Sequence, residues 1–318
     1  MKDKRINAPW EIRETYDALR GAIYGQEQAV RAAVAVDAAR KRGEKRNVLF
    51  VGPTGCGKTE IFRRLKEISG HVYIIDASKL TAEGWKGSFK LGDVFSLVLE
   101  LERHGGNGEE KSLDDAADAI ENGIIVLDEI DKAFIPAGSD YTAHIQLQGE
   151  MLAVLEGTDV IVSTKNDGST VIDTRKISFV LLGAFQGIYE KRKLDTKNAI
   201  GFAGGGGGAS RPRGITVDEL VEFGMLPELA GRMDRIVTLD GMTEDDYLAA
   251  MRTKGSVLDR AVADSGAGVA FSDEEIRLIA REAAENGLGL RYIKKQVDRK
   301  LDEKLFADAG IPALENCP

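Results

Sequence analysis

One octapeptide constrains this chain more than any other feature. Gly52-Pro53-Thr54-Gly55-Cys56-Gly57-Lys58-Thr59 fits the phosphate-loop pattern of glycines ending in Gly-Lys-Thr. It is preceded by the apolar run Val48-Leu49-Phe50-Val51 and followed by a helical pattern from about Thr59, the context the motif requires. Glycines let backbone N–H groups curl around phosphate oxygens, and a helix N-terminus adds partial positive charge. Lys58 is placed to neutralise the outer phosphates, and the Thr59 hydroxyl to ligate Mg²⁺. Cys56 reads as a small filler. A thiol near a helix N-terminus can also carry a lowered pKa, which would make the loop sensitive to oxidation.

The second half of such a site is also legible. Ile124-Ile125-Val126-Leu127 is an apolar strand that ends in Asp128-Glu129. Ligands in parallel sheets bind at the C-terminal ends of the strands. Asp128 is expected to hold Mg²⁺ directly or through water, and Glu129 to orient and polarise the attacking water.

Further apolar strands are expected at 71–75, 177–182 and 235–239, alternating with helical stretches. The spacing predicts a five-stranded parallel sheet covered on both faces. Residues 8–42 read as helical and 41–46 as a polar link. A hairpin signal surrounds Asn166-Asp167-Gly168, and Gly204 to Gly208 form a run of five glycines in an expected loop. After Leu239 the pattern turns wholly helical, with capping signals at Thr243 and Ser272. The expected division is a large α/β domain over 1–239 and a small helical domain over 240–318.

Composition limits the function classes. No apolar run approaches the roughly 18 residues a membrane span needs, and the charged start has no signal-like apolar stretch, so a cytoplasmic protein is expected. A net charge of −9 disfavours nucleic acid as a partner. Cys56 and Cys317 alone make neither a disulfide framework nor a zinc site.

Several further segments resemble the ClpX and HslU family of AAA+ unfoldases, in family order, from about Pro9 to about Glu303. Pro9-Trp10-Glu11-Ile12-Arg13 and Ile23-Tyr24-Gly25-Gln26 are similar to the family's first helix and the turn that packs on adenine, which implies that Ile23 and Tyr24 touch the base. Gly84-Trp85-Lys86-Gly87 stands at the first pore loop, where an aromatic between glycines grips a threaded polypeptide; otherwise Trp85 is a buried anchor. Residues 139–146, with Tyr141 and His144, correspond by position to the second pore loop, where His144 reads as a solvated loop residue. Gly224-Met225-Leu226-Pro227-Glu228-Leu229-Ala230-Gly231-Arg232 resembles the arginine-finger segment, so Arg232 would reach the nucleotide of a neighbouring subunit. Ile200-Gly201-Phe202 matches the tripeptide by which ClpX docks on the ClpP peptidase; packing within the chain is the alternative.

The resemblance implies an AAA+ P-loop NTPase fold and a homohexamer that uses ATP and Mg²⁺ to thread tagged or unfolded proteins, delivering them to a ClpP-like peptidase. A remodelling ATPase working without a peptidase, a non-hydrolysing binding module and a nucleic-acid translocase are the rivals. Three departures stand out. No cysteine cluster corresponds to the family's N-terminal zinc-binding domain. Asn286-Gly287-Leu288 puts leucine where the family's second sensor carries arginine, which leaves Arg291 as a replacement. The fourth strand, ending Val180-Leu181-Leu182-Gly183-Ala184-Phe185, offers no polar sensor side chain.

Overall fold

A computed structural model describes residues 9–85, 89–105, 110–134, 141–164, 168–192, 214–253, 255–265, 270–286 and 289–309. Seven strands are present among them: β1 (Asn47–Val51), β2 (Val72–Asp76), β3 (Ile124–Asp128), β4 (Asp159–Ser163), β5 (Ser169–Asp173), β6 (Ser178–Gly183) and β7 (Arg235–Thr238). Five form one sheet in the order β2-β3-β6-β1-β7, every pair parallel. The expected five-stranded sheet is therefore present, with each strand within a residue or so of its expected bounds.

The strand sequences explain why both faces are covered. Side chains alternate faces along a strand. Val48 and Phe50 of β1 join a core with Phe62, Val126, Val180 and Val237. Leu49 and Val51 join a second core with Ile125, Leu127, Phe179 and Leu181 on the opposite face. Helices Pro9–Ala22, Glu27–Lys41 and Lys58–Ser69 cover the first face. Helices Leu91–His104, Leu113–Glu121 and Tyr141–Glu156 cover the second. Parallel strands buried this way need continuous apolar runs, which is why they were readable.

β4 and β5 pair antiparallel as the separate hairpin that the turn signal predicts. Its tip residues Asn166 and Asp167 lie outside the described residues. The helical expectation over 8–42 needs correction. The chain forms two helices, separated at residues 23–26 by a turn in which Gly25 takes φ +73°. That backbone region favours glycine.

Beyond β7 the described chain forms helices Glu244–Arg252, Val257–Ser265, Asp273–Asn286 and Leu290–Asp308. Thr243 closes a capping box with Asp246, and Ser272 exchanges the equivalent bonds with Glu275. These helices bury a third core of Tyr247, Met251, Leu258, Ile279, Ala283, Ile293 and Val297.

The link into β1 carries one perturbed cation. The Lys45 ammonium donates to the carbonyls of Val154 (3.1 Å) and Thr174 (2.9 Å) and lies over the Phe179 ring. Burial lowers its pKa from the ordinary 10.5 to about 8. Between those pH values the unfolded chain holds a proton that the folded chain has lost, so this group makes stability rise with pH across that window. Urea unfolding from pH 7.5 to 10.5 should show the rise, and Lys45→Met should flatten it. A parallel rise in the variant would remove Lys45 as its source.

Candidate nucleotide site

The phosphate loop joins β1 to helix Lys58–Ser69 at the C-terminal edge of the sheet. Its glycines are required by geometry. Gly55 and Gly57 sit at φ +81° and +97°, in the left-handed region. A Cβ on Gly52 would stand 2.8 Å from the Leu239 carbonyl, so the loop can lie against the end of β7 only without a side chain. Gly57 is the helix N-cap and provides no side-chain cap, which leaves the first-turn N–H groups for a ligand.

Lys58 is buried, and its ammonium donates to the carbonyls of Gly52 (2.6 Å) and Pro53 (3.0 Å). The Thr59 hydroxyl donates to the Asp128 carboxylate at 2.7 Å, joining the loop to the end of β3. These two oxygen donors suit magnesium, a hard cation that leaves much of its shell to phosphate and water. Among the described residues no group of three or more His, Cys, Asp or Glu converges as a metal cage.

Glu129 follows with φ +57°, rare for a residue with a side chain. Its N–H bonds the Asp128 carboxylate at 2.9 Å, and the next N–H, of Ile130, bonds the Leu182 carbonyl at 3.0 Å. A kinked backbone so pinned turns Glu129 into the cleft. That cleft, of about 380 Å³, is lined by Thr54, Gly55, Lys58, Thr59, Asp128 and Glu129 among others.

Asp131, absent from the expected site residues, also lines the cleft. It is 2% exposed and accepts the N–H groups of Ala184 (3.1 Å) and Phe185 (3.3 Å) just beyond β6. Its carboxylate thus meets the end of the fourth strand, where that strand itself offers no polar side chain. The available signal was spacing, an acid three residues after Asp128. Phe185 itself has φ +49°, and Asp131 holds that turn in place.

Next to this cleft lies a smaller cavity lined by Ile23, Tyr24, Cys56, Gly57, Glu60, Met242, Ser256 and Arg260, among others. The turn between the first two helices therefore brings Ile23 and Tyr24 to the phosphate loop. The Arg260 guanidinium crosses from the C-terminal helices to donate to Glu60 at 2.9 Å. Cys56 is buried, and burial pushes its thiol pKa up, against the lowered value that the helix N-terminus suggested. Desolvation outweighs the neighbouring Lys58, so the filler role fits this thiol.

The remaining candidates fall elsewhere. Arg232 caps helix Pro227–Gly231, is exposed, pairs with Glu156, and does not line the cleft of its own chain. Trp85 is 36% exposed, so it is not a buried anchor. Gly84 before it takes φ +78°, and the indole N–H donates to Gln146 at 3.0 Å. Lys90 ties the loop from within, donating to the carbonyls of Ala82 and Trp85. Tyr141 begins helix Tyr141–Glu156 and is 65% exposed. The two expected pore segments are therefore in contact through Trp85 and Gln146. His144 needs correction: it is a half-buried helical residue whose Nδ1 lies 2.7 Å from the Ala133 carbonyl. Lys86, Gly87, Ile200, Gly201, Phe202, Leu288 and the Arg291 side chain lie outside the described residues.

A parallel sheet with a glycine loop after the inner strand β1, and acids at the end of the strand two places away, defines an α/β P-loop NTPase. Comparison with known proteins narrows this. The family model for the AAA domain (Cdc48 subfamily) matches residues 43–236. The ClpX subunit of ATP-dependent Clp protease from Treponema denticola is 30% identical over 96% of this chain and 78% of its own length. ClpX 3 of Methylococcus capsulatus is 30% identical, with 86% of this chain and 66% of that protein covered. ClpX of Azotobacter vinelandii is 29% identical over 86% of this chain and 64% of its own. The chain belongs to the ClpX-type AAA+ ATPases. It spans under two thirds of the length of the second and third of these relatives.

Proposed function

We propose that this chain is a cytoplasmic, ATP-dependent protein unfoldase and translocase of ClpX type. It works as a homohexamer that threads tagged or unfolded polypeptides through a central pore and passes them to a ClpP-like peptidase. Residues 1–239 form the nucleotide-binding α/β domain and 240–318 the small helical domain. No helix among the described residues is long and apolar enough to cross a membrane, in keeping with this reading.

ATP binds with its phosphates on the loop Gly52 to Thr59 and its base against Ile23 and Tyr24. Lys58 and the uncapped helix N-terminus offset phosphate charge. Thr59 and Asp128 hold Mg²⁺, which supplies Lewis-acid stabilisation of the phosphate oxygens when bound. Glu129 orients the attacking water and draws on its proton. Arg232 of a neighbouring subunit faces the transferring phosphoryl group, which is why its own cleft lacks it. Ile200-Gly201-Phe202 is the docking element for the peptidase, and a cation of the helical domain meets the nucleotide, with Arg291 as one candidate.

The observation that carries the threading step is Trp85. Trp85 is 36% exposed on a loop, so part of a large ring stays open to a passing chain. Here a left-handed glycine, Lys90 and Gln146 hold that ring out, close to the helix that begins at exposed Tyr141. Such a ring grips any polypeptide by steric contact, and Lys86, next in sequence, is the second substrate-contacting residue of this reading.

The test is ATP-dependent loss of fluorescence from a tagged fluorescent protein, with and without ClpP. Trp85→Ala should lower the unfolding rate at least ~10-fold while ATP turnover stays within a few-fold, since the lost contact is to substrate. Unfolding at the parent rate in Trp85→Ala would overturn the pore assignment. Unfolding without degradation when ClpP is present would favour the peptidase-independent remodeller.

A further inference from the structure

The family's second sensor position holds Leu288 in this chain, so the helical domain needs another cation if it is to respond to nucleotide. The geometry points to Lys294 as the group through which that domain contacts the outer phosphate of bound ATP. This rests on the nucleotide reading of the cleft.

Two observations carry it. First, the turn before helix Leu290–Asp308 lies directly on the phosphate loop. Gly289 has φ +62°, and a Cβ there would stand 2.3 Å from the Gly55 Cα, so only glycine permits the approach. The helix therefore starts at the loop. With ~1.5 Å of rise per residue, Lys294 lies roughly 6 Å along the axis from Leu290. Second, Lys294 lines the same cleft as Lys58, Thr59, Asp128 and Glu129. Its neighbour Ile293 is fully buried in the helical core together with Val297, which fixes the rotation of the helix about its axis. Lys294 is held to the cleft side by that packing, while its own side chain is exposed. Among the described residues it makes no hydrogen bond or ion pair.

The two lysines differ in what they can report. Lys58 is bound to carbonyls of its own loop and belongs to the α/β domain. Lys294 belongs to the other domain, so a contact from it to phosphate joins the two. ADP lacks the outer phosphate, and its loss removes the charge that would hold Lys294. The lysine thus links the nucleotide state to the closure of the helical domain on the loop. Arg291 is three residues earlier on the same helix, and the experiment separates the two.

The experiment is equilibrium titration of the full chain, in the presence of Mg²⁺, with fluorescent ADP and with a fluorescent non-hydrolysable ATP analogue. Parent, Lys294→Ala, Lys294→Arg, Arg291→Ala and Lys295→Ala are compared. Lys294→Ala is expected to weaken the ATP analogue about tenfold while ADP changes less than twofold, the loss of one charge-assisted contact. Lys294→Arg should restore most of the preference, and Lys295→Ala, one residue along on the exposed surface, should match the parent. A Lys294→Ala protein that keeps the parent ratio of the two affinities overturns the assignment and leaves the nucleotide site standing. So does loss of the preference in Arg291→Ala alone. A parent chain that binds neither nucleotide overturns both readings.

Discussion

Glu129→Gln should stop ATP turnover while leaving ATP bound. Glutamine keeps the volume and the backbone bonds that shape the kink after β3, where Glu129 sits at φ +57° with its N–H on Asp128. It removes the carboxylate that orients water and accepts its proton. Loss of a positioned general base costs ~10²–10⁴-fold in rate. Phosphate release should therefore fall by at least ~100-fold. Affinity for a fluorescent ATP analogue should stay within a factor of two or so, because Lys58, Thr59 and Asp128 are untouched. Turnover within a few-fold of the parent would move the catalytic role to another acid. Asp131 is poorly placed for that role, since its carboxylate is already committed to the N–H groups of Ala184 and Phe185.

Much of this site was legible because its chemistry is local in sequence. The loop from Gly52 to Thr59 carries its own turns, and the acids at 128 and 129 follow directly on an apolar strand. The sheet was legible for a related reason. Strands buried on both faces cannot alternate polar and apolar, so β1, β3 and β6 stand out as short apolar blocks. What was missed depends on contacts between distant positions. Arg260 reaches Glu60 across 200 residues, and Trp85 meets Gln146 across 61. Gly289 rests on Gly55, a packing that no local pattern marks. Asp131 is marked by no motif, and only the fold sets the two N–H groups beyond β6 beside its carboxylate. The Cys56 thiol illustrates a different limit. Sequence shows the helix N-terminus and Lys58 beside it, both favouring thiolate, but not the burial that outweighs them.

Arg232→Ala should reduce ATP turnover by about 10³-fold, and the loss should be repaired from outside the subunit. The fold should survive the substitution. Arg232 is exposed, and its pairing with Glu156 is between two half-exposed side chains, a contact worth ~0–1 kcal/mol. Its guanidinium does not line the cleft of its own chain, so a catalytic role requires a second protomer. Complementation distinguishes that from a structural defect. An Arg232→Ala subunit retains Glu129, and a Glu129→Gln subunit retains Arg232. In a ring with one head-to-tail interface, a site is complete when the first kind holds the nucleotide and the second kind stands beside it. Equal mixing of two inactive proteins should then restore roughly a quarter of the sites, in proportion to random neighbour pairing. Mixtures that stay as inactive as their components would place Arg232 outside the reaction. Full activity of Arg232→Ala alone would remove the need for a ring in hydrolysis.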